Sequence, residues 1–152
     1  MAVTASGMYG ITLEKFFIDT AADLESETST WVLMVTDTEA PNFDTHDFRA
    51  DIAAEVTAGS GYTAGGMVLT GTVITVGSPA AGQLKYDTTN DPAWTTSTIA
   101  SAMAAVLYFT TGNSTTDSLV FLSDFVTAAT SSNGTFTIQV ATNGWWYVDY
   151  TP

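Results

Sequence analysis

Apolar residues along this chain come in short alternating runs separated by turn-forming residues, the two-residue period of strands that bury one face. Gly10 to Phe17 and Trp31 to Thr36 read as the first two strands. The acidic stretch Asp19 to Glu27 between them reads as a solvated loop or a short helical turn. Met67 to Val76 reads as a long strand with a bulge at Gly71, and Leu84 to Tyr86 as a short one, with turns at Gly77 to Gly82 and Thr88 to Pro92. Trp94 to Ile99 and Ala102 to Phe109 read as two strands or one bent strand, although the alanines of Ala102 to Ala105 also suit a helix. In the last third, strands at Leu119 to Phe125, Thr135 to Val140 and Trp145 to Tyr150 alternate with turns at Asn113 to Asp117, Ser131 to Gly134 and Asn143 to Gly144. The last two strands have the spacing of a hairpin.

One segment departs from this period. Asn42 to Val56 sets Phe48, Ile52 and Val56 at i, i+4 and i+8 behind Asp44 or Thr45 as a cap, which predicts a short amphipathic helix. About eight short strands at this spacing predict an all-β protein, a β-sandwich of jelly-roll-like form with one short α-helix. The chain of 152 residues is the length of one domain, with residues 1–8 as a flexible N-terminal arm that orders on docking.

Composition sharpens the picture. Charged residues are 12% of the chain, about half the usual share, and Thr, Ser, Ala and Gly stand in their place, a diet that favours strands and loops over helices. Lys15, Lys85 and Arg49 face sixteen carboxylates, for a net charge of -13, so nucleic acid and anionic membranes are repelled. The acids are concentrated between Glu14 and Glu55, which leaves a nearly uncharged, Thr-rich remainder suited to contact with other proteins. There is no cysteine, which removes disulfides, thiolate metal sites and Cys nucleophiles. Met1 to Met8 lacks the basic and apolar regions of a signal peptide, and no run approaches the ~20 apolar residues of a membrane span. The expectation is a protein neither exported by a signal peptide nor embedded in a membrane.

Candidate chemistry is thin. His46 beside Asp47 is one part of a Ser-His-Asp set, but Ser60 lacks the glycine spacing of a nucleophile elbow, and capping or an interface contact explains the histidine more simply. On a helix, Asp47, Asp51 and Glu55 would stack three carboxylates along one stripe, a weak calcium candidate, although an exposed acidic face explains the same spacing. Trp146 with Tyr150 could offer a sugar-stacking platform, against which stands simple core filling. Gly65-Gly66 is not a phosphate loop, as no lysine follows. No catalytic residue and no cofactor is expected.

The segment from His46 through Phe48, Arg49, Asp51, Ile52 and Glu55 to Val56, followed by Gly61-Tyr62-Thr63-Ala64-Gly65-Gly66, resembles a pattern of small virion structural proteins of tailed bacteriophages. Three later pieces fit the same order. They are Trp94 with Ser97-Thr98-Ile99 and Ala104 to Tyr108; Asp117-Ser118-Leu119 leading to Asp124-Phe125; and Gly134 to Ile138. In such proteins the Asp-Phe step is commonly followed by glycine, whereas here Val126 follows. The resemblance implies a non-enzymatic β-sandwich made in the host cytoplasm and assembled into the virion. Its implied place is the capsid surface, as a decoration or cement protein that binds the major capsid protein as a homo-oligomer, trimer or dimer. A tail or baseplate component is the alternative, and a carbohydrate-binding host-adhesion module a third. His46, Phe48, Ile52, Tyr62, Gly65, Gly66 and Trp146 are the interface or structural candidates.

Overall fold

The computed structural model describes residues 3–18 and 23–151. Two antiparallel sheets pack as a sandwich, with one short helix. Strands β1 (Gly7–Met8), β2 (Thr30–Val35), β3 (Met67–Val68), β6 (Ala93–Phe109) and β7 (Ser118–Thr137) form the larger sheet, in the order β1-β7-β6-β2-β3. Strands β4 (Thr72–Val76), β5 (Gln83–Thr88) and β8 (Trp146–Asp149) form the smaller one, in the order β4-β5-β8.

The larger sheet is covered on both faces, and this explains the unbroken apolar run at its centre. Along β6, Ala105, Leu107 and Phe109 face the smaller sheet, while Ala104, Val106 and Tyr108 face the opposite side. In β2, Val32 and Met34 divide from Leu33 and Val35 in the same way, and all four are fully buried. A strand buried on both faces reads as continuous hydrophobicity rather than alternation. At ~2 kcal/mol for each large apolar side chain removed from water, this doubly covered centre is the main source of stability. The second cover consists of the N-terminal segment and the long connection from Thr36 to Gly66: Val3, Tyr9, Phe43 and Ile52 pack there against Leu33 and Val106.

The helix is α1 (Gly10–Ile18), in the stretch whose β-branched and aromatic residues predicted a strand. Asn42 to Val56, predicted as the helix, is instead extended and turning, with a single 3-10 turn at Arg49–Asp51. The reason lies in where its backbone donors go. Asp51 Oδ2 accepts from the Asp47 and Phe48 N–H groups, Glu39 Oε2 accepts from those of Ala53 and Ala54, and the Arg49 and Ala50 N–H groups donate to Asp117 and Ser114. Side-chain carboxylates and a neighbouring loop take donors that an α-helix would keep within itself.

Met67 to Val76 is two strands in different sheets, not one long one; Gly71, at φ +68, carries the crossover. Trp94 to Phe109 is one bent strand, and the predicted turn at Ser131 to Gly134 lies inside β7, where Asn133 (φ +48) serves a β-bulge opposite Ser97 to Ile99. The predicted hairpin between Thr135 to Val140 and Trp145 to Tyr150 does not form. The chain changes sheets between them, and β8 pairs with β5, Lys85 opposite Tyr147 and Tyr86 opposite Trp146. Of the predicted N-terminal arm, residues 3–8 lie against the larger sheet: Val3 is buried, and Gly7 and Met8 pair with Leu122 and Phe121. Of the acidic stretch Asp19 to Glu27, residues 19–22 lie outside the described residues. No helix among the described residues is long and apolar enough to cross a membrane.

Candidate functional site

A cluster of polar side chains, Tyr62, Tyr108 and Asp117 buried and Arg49 and Glu55 partly so, ties the Thr36 to Gly66 connection to the larger sheet. Arg49 Nε donates to Asp117 Oδ2 at 2.8 Å, and the guanidinium lies 5.4 Å from the centroid of the Tyr108 ring. Tyr108 Oη donates to the Gly65 carbonyl at 2.6 Å. Glu55 Oε1 accepts from the Gly65 N–H at 2.6 Å and from Tyr62 Oη at 2.8 Å, and the Tyr62 oxygen accepts in turn from the Met34 N–H at 3.1 Å. Beyond it the Tyr62 ring sits 5.8 Å from Trp94, which meets Phe136 edge-on.

These contacts set the electrostatics. Burial pushes the Asp117 carboxyl up, but the Thr111 N–H, bonded at 2.6 Å, and the Arg49 guanidinium outweigh it and hold the group below the usual carboxylate range. Burial pushes the Tyr108 hydroxyl up to about 12, against the opposing pull of Arg49. Tyr62 is raised further, by burial first and then by the charge of Glu55.

Several of the residues singled out in the sequence meet in or beside this cluster. Tyr62 and Gly65 are members. Gly66, at φ +79, presses on β2 so closely that a Cβ would stand 1.9 Å from the Val32 carbonyl oxygen. Phe48 bridges to Ser118, and Ile52 packs on the second face of the larger sheet. His46 is half-buried, and its Nδ1 has no hydrogen-bond partner. Trp146 lies apart, stacked on Tyr86 with centroids 5.6 Å apart and only 9% exposed, whereas Tyr150 is 53% exposed, so the two do not present one platform.

The calcium stripe is not formed. Without a helix, Asp51 turns back on its own turn and Glu55 turns inward to Tyr62 and Gly65. Among the described residues there is no group of three or more His, Cys, Asp or Glu placed to hold a metal ion. Glu39 was not singled out in the sequence, yet it is fully buried and accepts from the Ala53 and Ala54 N–H groups of another part of the connection. Asp117, named only as the end of a turn and in the resemblance, is also fully buried and accepts from the nearby Thr111 N–H and the distant Arg49 side chain. A lone acid in a Thr-rich loop gives no pattern by which to single it out.

The accessible surface is of a different kind. A groove of about 360 Å³ runs between the smaller sheet and α1, lined by Met8, Leu13, Leu24, Ile74, Leu84, Trp146, Val148 and Tyr150. Leu13, Val148 and Tyr150 are about half exposed. A second groove, about 310 Å³, lies beside Asp124, Phe125 and Trp145, and a third, about 240 Å³, beside Thr57 to Ser60; His46 lines none of the three. A largely buried polar cluster thus locks a long connection onto one face of the larger sheet, and the apolar groove is lined from all three strands of the smaller sheet. In comparison with known proteins the chain matches no family model, no curated protein and no solved structure.

Proposed function

We propose that this protein is a non-enzymatic structural component of a tailed-bacteriophage virion, a decoration or cement protein on the outside of the head that binds the major capsid protein where capsid subunits meet. One observation carries the reading: the separate stretches of sequence that resemble small virion proteins converge in space. Arg49 from the first, Gly65 from the second, Tyr108 from the third and Asp117 from the fourth form one chain of contacts. A pattern spread from His46 to Ile138 is thus the set of residues on which this arrangement of loop and sheet depends. The departure from the pattern supports the same reading, since Val126 has φ +65, a conformation in which glycine is at ease.

The mechanism is multivalent clamping. Each copy adds a modest interface across a joint between capsomers, and many such interfaces together resist the pressure of packaged DNA. The Thr-rich, weakly charged surface beyond Val56 suits close contact with neighbours, while the acids of the N-terminal third keep the free protein soluble. The test is co-sedimentation of the purified chain with capsids that lack it. Binding that saturates at a fixed ratio to the capsid subunit, and that raises the temperature at which heads release DNA, is the expected result. Binding to tails instead would assign the chain to the tail or baseplate, and binding to neither would overturn the proposal.

A further inference from the structure

The core-facing side of the smaller sheet extends past the cover over it. Residues directly opposite in antiparallel strands share a face, so Ile74, Tyr86 and Trp146 form one row across β4, β5 and β8, and Val76, Leu84 and Val148 form the next. The first row lies in or against the core, with Tyr86 fully buried. In the second, Leu84 is half-buried, Val148 is 45% exposed and Val76 is 69% exposed, so an inward-facing apolar row emerges into solvent. Leu13 of α1, 46% exposed, and the buried Leu24 complete the walls of the groove of about 360 Å³.

The wall at Leu24 is held in place, because its loop also closes the β4 edge. The Ile74 N–H is taken by Glu25 Oε1 at 2.9 Å, the Gly71 N–H by Glu27, and Thr72 Oγ1 donates to the Glu25 carbonyl. At the other edge, β8, no further strand lies alongside among the described residues. The groove walls are apolar, and the charges beside them have one sign. Glu14 follows Leu13, and Asp23 and Glu25 flank Leu24; all three acids are exposed, and Glu25 is fixed at the groove-lining Ile74. Asp149, between Val148 and Tyr150, adds its charge from the reverse of the sheet. The three cations of the chain are engaged elsewhere: Arg49 with Asp117, Lys85 with Asp87 on the reverse of the sheet, and Lys15 Nζ as donor to Ser118 Oγ at 2.6 Å.

We propose that this groove takes a basic amphipathic helix of a partner protein, with apolar side chains in the groove and Lys or Arg against Glu14, Asp23 and Glu25. Apolar walls cannot pair the N–H and C=O groups of an extended segment, so the entering backbone must satisfy its own, as a helix does. Acids along the rim, in a molecule of net charge -13, favour cations beside the apolar stripe of that helix and repel fatty acids and anionic lipids. A second copy of this chain brings more charge of the same sign, and its one helix is already packed against β7. The inference does not rest on the virion assignment, and a binding measurement in solution tests it alone.

The experiment is fluorescence anisotropy of a dye-labelled peptide of about 18 residues, leucine at i, i+3, i+4 and i+7 and lysine elsewhere, titrated with the full chain. A dissociation constant on the order of 10 μM is expected at ~50 mM salt, rising about 10-fold at ~500 mM as screening grows. A scrambled peptide, which keeps the charge and loses the stripe, should bind at least about 10-fold more weakly, and one with glutamate in place of lysine should not bind. Val148→Lys and Leu13→Lys should each weaken binding about 10-fold or more. Val126→Lys adds the same charge at an exposed site outside the groove and should change binding by less than about 2-fold. Near-UV circular dichroism establishes that each variant is folded, and if one groove variant is not, the other decides. No binding up to ~1 mM chain, equal binding of the scrambled peptide, or folded groove variants that bind as Val126→Lys does would overturn the proposal. Binding to phosphatidylcholine vesicles in place of the peptide would overturn it in favour of lipid, and self-association abolished by Val148→Lys, again without peptide binding, in favour of a second copy.

Discussion

A methyl group at Gly66 would stand 1.9 Å from the Val32 carbonyl oxygen, in a backbone conformation, φ +79, that side chains seldom adopt. Both obstacles act where the chain enters β3 against β2, so Gly66→Ala is expected to cost about 3 kcal/mol in urea denaturation. Gly77 shares a positive φ, but a Cβ there would meet nothing within 4 Å, so Gly77→Ala should cost only its conformational strain, about 1 kcal/mol. Val126 presents the converse case: a β-branched residue at φ +65 and 79% exposed, strained and with little packing to lose. Val126→Gly relieves the strain at some cost in unfolded-state entropy, and a net gain of about 0.5–1 kcal/mol is expected in the same assay. A loss of stability on that change would show that the valine makes a contact that compensates for its backbone.

At the scale of elements, the connection from Thr36 to Gly66 is held by carboxylates rather than by regular structure, and this gives it a pH dependence. Asp117 has a folded pKa below its ordinary value of 3.8, so its contribution is fully present above that value and is lost as pH falls through the lower folded one. Replacing Arg49 with Leu leaves a fully buried carboxylate without its cation. The variant should lose about 3 kcal/mol at neutral pH and show a flatter decline of stability below about pH 4 than the parent. The elements also differ in how far the sequence reveals them. The turn at Asn113 to Asp117 is plain, whereas the run of β6 reads as two strands, one bent strand or, at its alanines, a helix, because burial on both faces leaves an apolar stretch without alternation. Phe48, Ile52 and Val56 have helical spacing by coincidence: two pack on opposite faces of the larger sheet and the third bridges to Ser118, and the buried acid Glu39 that redirects the backbone is distant in sequence. Asn133-Gly134 has the chemistry of a hairpin turn and is used as a bulge, a choice made by the strand opposite. The closed and open edges of the smaller sheet were equally hidden, since Glu25 and Glu27 reach β4 from more than forty residues away.

At the scale of the whole molecule, Tyr9, Tyr62, Tyr86 and Tyr108 are all raised above their ordinary value of 10.0, in each case chiefly by burial. The stability they confer is complete below pH 10 and declines as pH rises toward the folded values, the lowest of which is about 12. Tyrosinate absorbance from these residues should therefore appear together with the loss of near-UV circular dichroism, in one alkaline unfolding step; their ionisation in a chain that keeps its tertiary signal would contradict the packing of both cores. The same molecule is a sandwich with one sheet covered on both faces and a net charge of -13. Whether it serves on a phage head is tested most directly by electron microscopy of virions that carry a gold-labelled tag after Pro152. Label spread over the head in a regular array is the expected result. Particles whose heads carry no label would contradict it.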